Sequence, residues 1–418
     1  MSGSHADSTQ SQDVNSANVT PDIPIEIVSE EEMALIDAAL AAPRCCSPSS
    51  SLSFASQLQR NARFIHFISF LSKRSFSGRT ESDIEDLGHL GMTQKRNIIA
   101  KSLLDRFRKN RALSVTDVTD TEWCEKKMEF NLLFGSKKVN KVMKVGRARH
   151  AELEKEVTKK VKVRVRSTED IWAVKLFNSI TGVNQLLFEG LTRELPMTLV
   201  YGPIVAYNIR LGFIKGVWMV GVIDEIQMPV KETARNPILV DTKTRAQYTL
   251  PAESQKRNGR LQLMCYKYMW DNLAADNFPS MQFYDFFSLN SDCILSEEII
   301  EKTSNAGFPA KTLGDLVKYF RNMWNMLPAS HNQLLLRYEF QKDQSLLGEE
   351  KFAYDYDLFN SQIEVCLEFW KGEREASFTP LEDRWKCRYC QFESVCPAVL
   401  KPEITPIPSQ TDCNNTPS

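Results

Sequence analysis

Two runs of β-branched and aliphatic residues each end in an aspartate: Gly221–Val222–Ile223–Asp224–Glu225 and Ile238–Leu239–Val240–Asp241–Thr242–Lys243–Thr244–Arg245. Such runs suit buried strands. Set side by side, they bring two carboxylates together at one edge of a sheet. Neighbouring carboxylates repel and are costly to keep ionised. A hard divalent cation removes that conflict, and Mg²⁺ takes carboxylates together with waters and substrate phosphate.

The residues around the pair extend the same chemistry. Asp241 and Lys243 are two apart on a strand and face one side. The ammonium then lies where a nucleophilic water or a scissile phosphate would sit, and can orient or deprotonate the one and offset charge on the other. Thr242, between them, offers a backbone carbonyl as a further metal ligand. Gln262 and Tyr266 share one face of the following helix, where an amide and a phenol can hydrogen-bond a phosphate or a base edge. Tyr268 reads instead as a half-buried helix aromatic. His150, in Gly146–Arg147–Ala148–Arg149–His150–Ala151–Glu152, is one of five histidines and as a neutral imidazole is a candidate metal ligand. Glu152 points away from it on a helix, and Arg147 and Arg149 suit phosphates.

Cys387, Cys390 and Cys396 form a second cluster, opening with the C-x-x-C chelate spacing. The fourth ligand is assigned to Cys124, at the front of the folded region. One ligand from the front and three from the back close the domain as a loop and remove entropy from the unfolded chain. Thiolates alone suit either structural zinc or a [4Fe–4S] cluster. Cys265, Cys293 and Cys366 read as small buried hydrophobes.

The rest of the chain frames these sites. Residues 1–113 read as a largely disordered extension with short helices, one of them over 29–42. Within it, residues 41–80 lack acids and are rich in Ser and Arg, as in an organelle transit peptide or a plain linker. Residues 114–400 read as one folded domain and 401–418 as a disordered tail. The periodicity predicts helices over 121–133, 145–160, 168–181, 261–273, 313–326 and 356–370, and strands over 161–166, 190–196, 213–227 and 237–243. Helix, strands, then helices give an α/β fold with a mixed central sheet flanked by helices. No apolar run approaches the roughly 18 residues of a membrane span, and no secretory signal opens the chain.

Taken together, these blocks resemble the RecB-type nucleases of the PD-(D/E)xK superfamily, and among them the eukaryotic exonuclease V family of iron–sulfur single-strand DNA exonucleases. The resemblance runs from about Ser114 to Pro397. It rests on Ser114–Asp117 leading to Trp123–Cys124, on 146–150, 221–225 and 241–245, and on Gln262 to Tyr266 and Trp385 to Cys396. It implies that His150, Asp224 and Asp241 bind Mg²⁺, that Lys243 is the catalytic lysine, and that Gln262 and Tyr266 support DNA binding or site geometry. It implies a [4Fe–4S] cluster on Cys124, Cys387, Cys390 and Cys396. The implied product is short oligonucleotides, in DNA repair or genome maintenance. No G-x-x-x-x-G-K-[ST] motif is present, so the chain carries no helicase motor of its own.

The net charge is −1, so a phosphate path needs local clustering. Residues 136–166 supply it, with twelve Lys or Arg against three Glu, a net +9. Trp172, Phe177 and Phe188 could stack bases but suit the core better. The expected partners are single-stranded DNA and a single-strand-binding protein. The enzyme is expected to be a monomer without membrane attachment, in the nucleus or an organelle. The competing expectation is a nucleic-acid-binding protein with a structural four-cysteine metal site and no catalysis. A degenerate binder is expected to have lost Asp241 or Lys243, and this chain keeps both.

Overall fold

The computed structural model describes residues 24–29, 102–135, 141–201, 216–229 and 236–400. In chain order the elements are β1 (Ile25–Val28), α1 (Leu103–Phe107), β2 (Leu113–Ser114), α2 (Val115–Trp123), α3 (Glu125–Phe134), α4 (Lys141–Lys155), β3 (Lys159–Lys162), α5 (Thr168–Glu189), β4 (Leu191–Tyr201), β5 (Val217–Gln227), β6 (Ile238–Arg245), α6 (Glu253–Ala274), α7 (Ser280–Phe287), α8 (Glu297–Asn305), α9 (Leu313–Trp324), β7 (Gln333–Phe340), β8 (Leu346–Ala353) and α10 (Tyr356–Lys371). Two 3₁₀ turns, Leu381–Tyr389 and Glu393–Val395, and a last helical turn, Pro397–Leu400, follow.

The α/β architecture with a mixed central sheet and flanking helices is as expected. The six-stranded sheet runs β2-β5-β6-β7-β8, with β4 also paired to β5. β4 lies antiparallel along the whole of β5, from Leu191 opposite Gln227 to Tyr201 opposite Val217. The other edge of β5 is shared. β2 pairs with it in parallel at Met219 and Val220, and β6 pairs antiparallel from Glu225 to Gln227. Between those two ladders the sheet forks, and residues 221–224 line the opening.

Local signals explain most boundaries. Ser114 accepts from the Asp117 amide while Asp117 accepts from the Ser114 amide, a capping box that starts α2. Arg108 adds an ion pair to Asp117 at 2.6 Å. Ser167 caps α5, and Gly190 ends it in the left-handed region. The single helix expected over 121–133 is two. Cys124 is extended, with φ −176° and ψ 113°, and the chain turns there between α2 and α3. β7 and β8 were not anticipated. No residue of β8 is fully buried, and Glu349, Glu350 and Lys351 interrupt Leu346, Leu347 and Phe352, so its apolar alternation is weak.

The strand expected over 161–166 is displaced to Lys159–Lys162 and pairs in parallel with β1. β1 falls in the stretch read as an extension with short helices, yet Ile27 and Val28 are fully buried. The helix expected over 29–42, the transit-like stretch 41–80 and the tail lie outside the described residues. No described helix is long and apolar enough to cross a membrane.

Candidate active site

The fork in the sheet gathers the acids. One step beyond the Glu225–Val240 pair, the β5–β6 register sets Asp224 against Asp241. The pair therefore sits inside the fork, with β4 along one flank, rather than at an outer sheet edge as the sequence suggested. The Thr242 amide donates to Asp224 Oδ2 at 3.0 Å. Asp241 is completely buried; its Oδ1 accepts from Lys243 Nζ at 2.9 Å, and its Oδ2 has no hydrogen-bond partner.

Lys243 continues the chain of contacts. Its Nζ also donates to Gln262 Oε1 at 2.8 Å, and Gln262 Nε2 donates to Tyr266 Oη at 3.2 Å. Tyr266 is buried, and Tyr268 half-buried, as expected. Tyr266 packs where Gly221 leaves room: a Cβ at that glycine would come within 2.6 Å of Tyr266 Cε1 and 2.9 Å of Val115 Cγ2. α4 approaches β6 closely too, since a Cβ at Gly146 would lie 3.0 Å from Thr244 Oγ1. That approach carries His150, one turn further on, to the site.

His150 Nδ1 lies 3.1 Å from Glu194 Oε1 and 3.8 Å from Asp224 Oδ2. Glu194 was not singled out in the sequence. The β4–β5 register places it opposite Asp224, between the Arg193–Glu225 and Leu195–Ile223 pairs. Its φ of +51° is unusual for a side-chain-bearing residue. Arg193 holds the spot, bonding Glu225 Oε2 at 2.8 Å, Glu156 Oε2 at 2.6 Å and the Leu153 carbonyl at 2.8 Å. Among the described residues, His150, Glu194 and Asp224 offer ligand atoms within 4.8 Å of one another.

The electrostatics are those of crowded anions. Burial pushes Asp241 up to about 7, against the pull of Lys243 and with the nearby Asp224 charge. Burial also raises Asp224, while His150 and Lys243 oppose the rise. Burial by itself would lower His150, but the hydrogen bond to Glu194 and the charges of Asp224 and Glu194 push it up to about 9. Those charges favour the protonated imidazole, the form whose proton a bound cation would have to displace. Lys243 is raised, because Asp241 and Asp224 outweigh its burial.

The sequence model for Exonuclease V, described as a 5′ deoxyribonuclease, matches residues 102–237, 227–314 and 310–397. The chain belongs to the exonuclease V family. Exonuclease V of Danio rerio is 30% identical over 301 residues, covering 71% of this chain and 72% of its own. Mitochondrial Exonuclease V of Candida albicans strain WO-1 is 38% identical over 61 residues, 15% of this chain and 10% of its own. The solved structure of SSO0001 aligns over 81% of this chain and 97% of its own at 13% identity, with a TM-score of 0.28, too low to bear on the fold. The protein is a DNA exonuclease, and membership of a nuclease family implies a metal cofactor.

In this exonuclease the carboxy-terminal cysteines return to the corner at Cys124. Trp385 meets Trp123 edge-on at 5.9 Å, and Phe392 meets Phe130 at 5.3 Å. Asp383 accepts from Arg257 of α6 at 2.6 Å. Burial and the neighbouring Cys124 and Cys390 thiols raise Cys387. Burial and the Cys124, Cys387 and Cys390 thiols raise Cys396. Cys265 and Cys366 are buried as expected, whereas Cys293 is half-exposed.

The basic stretch is less free than its charge suggested. Lys160 pairs with Glu154 at 2.6 Å and Glu26 at 3.6 Å, and Arg149 with Glu339 at 2.9 Å. Arg147, Arg164 and Arg166 are exposed. Trp172 and Phe177 are core residues, but Phe188 is 87% exposed.

Proposed function

We propose that this exonuclease hydrolyses single-stranded DNA from the 5′ end in a Mg²⁺-dependent reaction, releasing short oligonucleotides in the service of DNA repair. The observation that carries the reading is the bare, fully buried Oδ2 of Asp241 beside the His150–Glu194–Asp224 group. A buried carboxylate oxygen with no donor is costly. A cation satisfies it and relieves the repulsion that raises both aspartates.

The residues fit such an ion. Asp224, Asp241 and His150 would hold it, with Glu194 added to the expected set and the Thr242 carbonyl as a further oxygen. A divalent cation bound there supplies Lewis-acid polarisation of the phosphate and a bound water of lowered pKa. Lys243 stays protonated because two aspartates hold its charge, so it orients the water and offsets transition-state charge rather than acting as a base. Gln262, bonded to both Lys243 and Tyr266, fixes the ammonium in place. The acidic pair and the lysine two residues beyond Asp241 support reading the site as a PD-(D/E)xK core.

The four cysteines would ligate a [4Fe–4S] cluster that staples the two ends of residues 114–400. The mutual influence of the Cys124, Cys387 and Cys390 thiols on Cys387 and Cys396 supports a shared thiolate site, and an all-thiolate set suits such a cluster. The enzyme would work as a monomer, alongside a single-strand-binding protein, in the nucleus or an organelle. The naming of the Candida relatives as mitochondrial supports an organelle.

Asp241→Asn tests the site. Cleavage of end-labelled single strands in Mg²⁺ is expected to fall about a thousandfold or more, with DNA binding in Ca²⁺ retained. Cleavage within a few-fold of wild type overturns the assignment.

A further inference from the structure

A cavity of about 1180 Å³ runs from Asp224, Gln262 and Tyr266 out past Arg164, Arg166 and Lys175. One part of its wall comes from far upstream. Glu26 and Ser29 line it, and both belong to the short segment carrying β1. The segment is held by contacts of its own.

Those contacts are specific. The Lys159 amide donates to the Pro24 carbonyl at 2.9 Å, and the Val163 amide to the Val28 carbonyl at 3.0 Å. On the opposite edge of β1, the Asn178 side chain stands in for a second strand. Its Oδ1 accepts from the Ile27 amide at 3.0 Å and its Nδ2 donates to the Ile27 carbonyl at 2.8 Å. Ile27 and Val28 are buried beneath, and Glu26 is paired in register with Lys160. An element held on both backbone edges, with two residues in the core, is a built wall and not a chance contact.

We propose that residues 24–29 are a strap that sets the bore of the substrate cavity, so that one DNA strand enters and a duplex does not. The proposal rests on the single-strand reading above and assigns the selectivity to this segment. The strap seals the flank along α5, and its Glu26 sets a negative charge on a wall that also carries Arg164, Arg166 and Lys175.

The test uses the full chain and compares 5′-labelled single strand with blunt duplex of the same sequence in Mg²⁺. Ile27→Asp and Asn178→Ala each release the strap, read as loss of hydrogen-exchange protection at the Lys159 and Val163 amides. The single-strand to duplex rate ratio is expected to fall about tenfold. Should Ile27→Asp fail to fold, Asn178→Ala carries the test. Glu26→Lys leaves the strap bound; it is expected to lower the single-strand KM about threefold and steepen its salt dependence. An unchanged rate ratio with the strap released, or a Glu26→Lys enzyme with wild-type KM, overturns the proposal. A wild-type enzyme that degrades duplex as fast as single strand overturns the single-strand reading instead, and the two failures are read from different samples.

Discussion

Cation binding at the fork should be strongly linked to pH, and the size of the linkage follows from two residues. His150 is raised to about 9 and Asp241 to about 7. A cation takes the neutral imidazole and the ionised carboxylate, so it must displace protons. At pH 7 about one His150 in a hundred is neutral and about half of Asp241 is ionised, so binding should release between one and two protons. The His150 handicap alone, about 2 pH units at about 1.36 kcal/mol each, weakens binding by about 2.7 kcal/mol, or a hundredfold, relative to a fully neutral imidazole. Apparent affinity should therefore rise steeply from pH 6 to 9, and proton release should fall below one by about pH 9. Isothermal titration of Mn²⁺ in buffers of different ionisation enthalpy counts the protons directly. Glu194→Gln removes one of the charges that raise His150 and leaves only a weaker, neutral hydrogen-bond acceptor in its place. It should shift the His150 titration down by at least about one unit and flatten the pH dependence, while weakening cation binding at pH 9 about tenfold or more through the lost ligand. Proton release near zero at pH 7, or a Glu194→Gln enzyme with the wild-type pH profile, would refute the reasoning.

The same raised groups set stability without cation. Both pKa values lie above their unfolded values, so their contribution is complete at low pH and lost as pH rises through about 7 for Asp241 and about 9 for His150; thermal melts in chelator should show that decline, and Mn²⁺ should reverse it. Gly221→Ala forces a Cβ against Tyr266 and Val115 and should cost about 1–3 kcal/mol of stability together with activity; a variant with wild-type Tm and rate would show that the close approach is dispensable. Cys390→Ser should bleach absorbance near about 400 nm and reduce the folded yield, whereas a colourless wild-type protein purified without oxygen and carrying one zinc would overturn the cluster. Tyr266→Phe deletes the hydroxyl that Gln262 donates to and should lower kcat about tenfold with little change in Tm; an unaltered kcat would leave the phenol with a packing role only.

Much was legible along the chain because local chemistry wrote it there. Apolar runs ending in Asp224 and Asp241 specified buried strands with charged ends, and the alternation put Lys243 on the face of Asp241. Helical spacing alone put Gln262 beside Tyr266. The spacing from Cys387 to Cys396 kept three thiols within one short segment. What the sequence could not carry was any relation between residues that share no local period. Glu194 carries no motif; it joins the site because β4 runs in register along β5 and turns its backbone to φ +51° opposite Asp224. β1 looked like part of a polar extension, since two buried residues in a four-residue strand leave no periodic trace. The protonated state of His150, and the capture of Lys160 and Arg149 by Glu154 and Glu339, likewise depend on which charges the fold brings within a few ångströms. Sequence thus determined the chemical groups and their order on each element, because side-chain direction follows from backbone period. The tertiary structure alone decided which of those groups meet, because pairing register and burial fix distances and dielectric, and those govern charge.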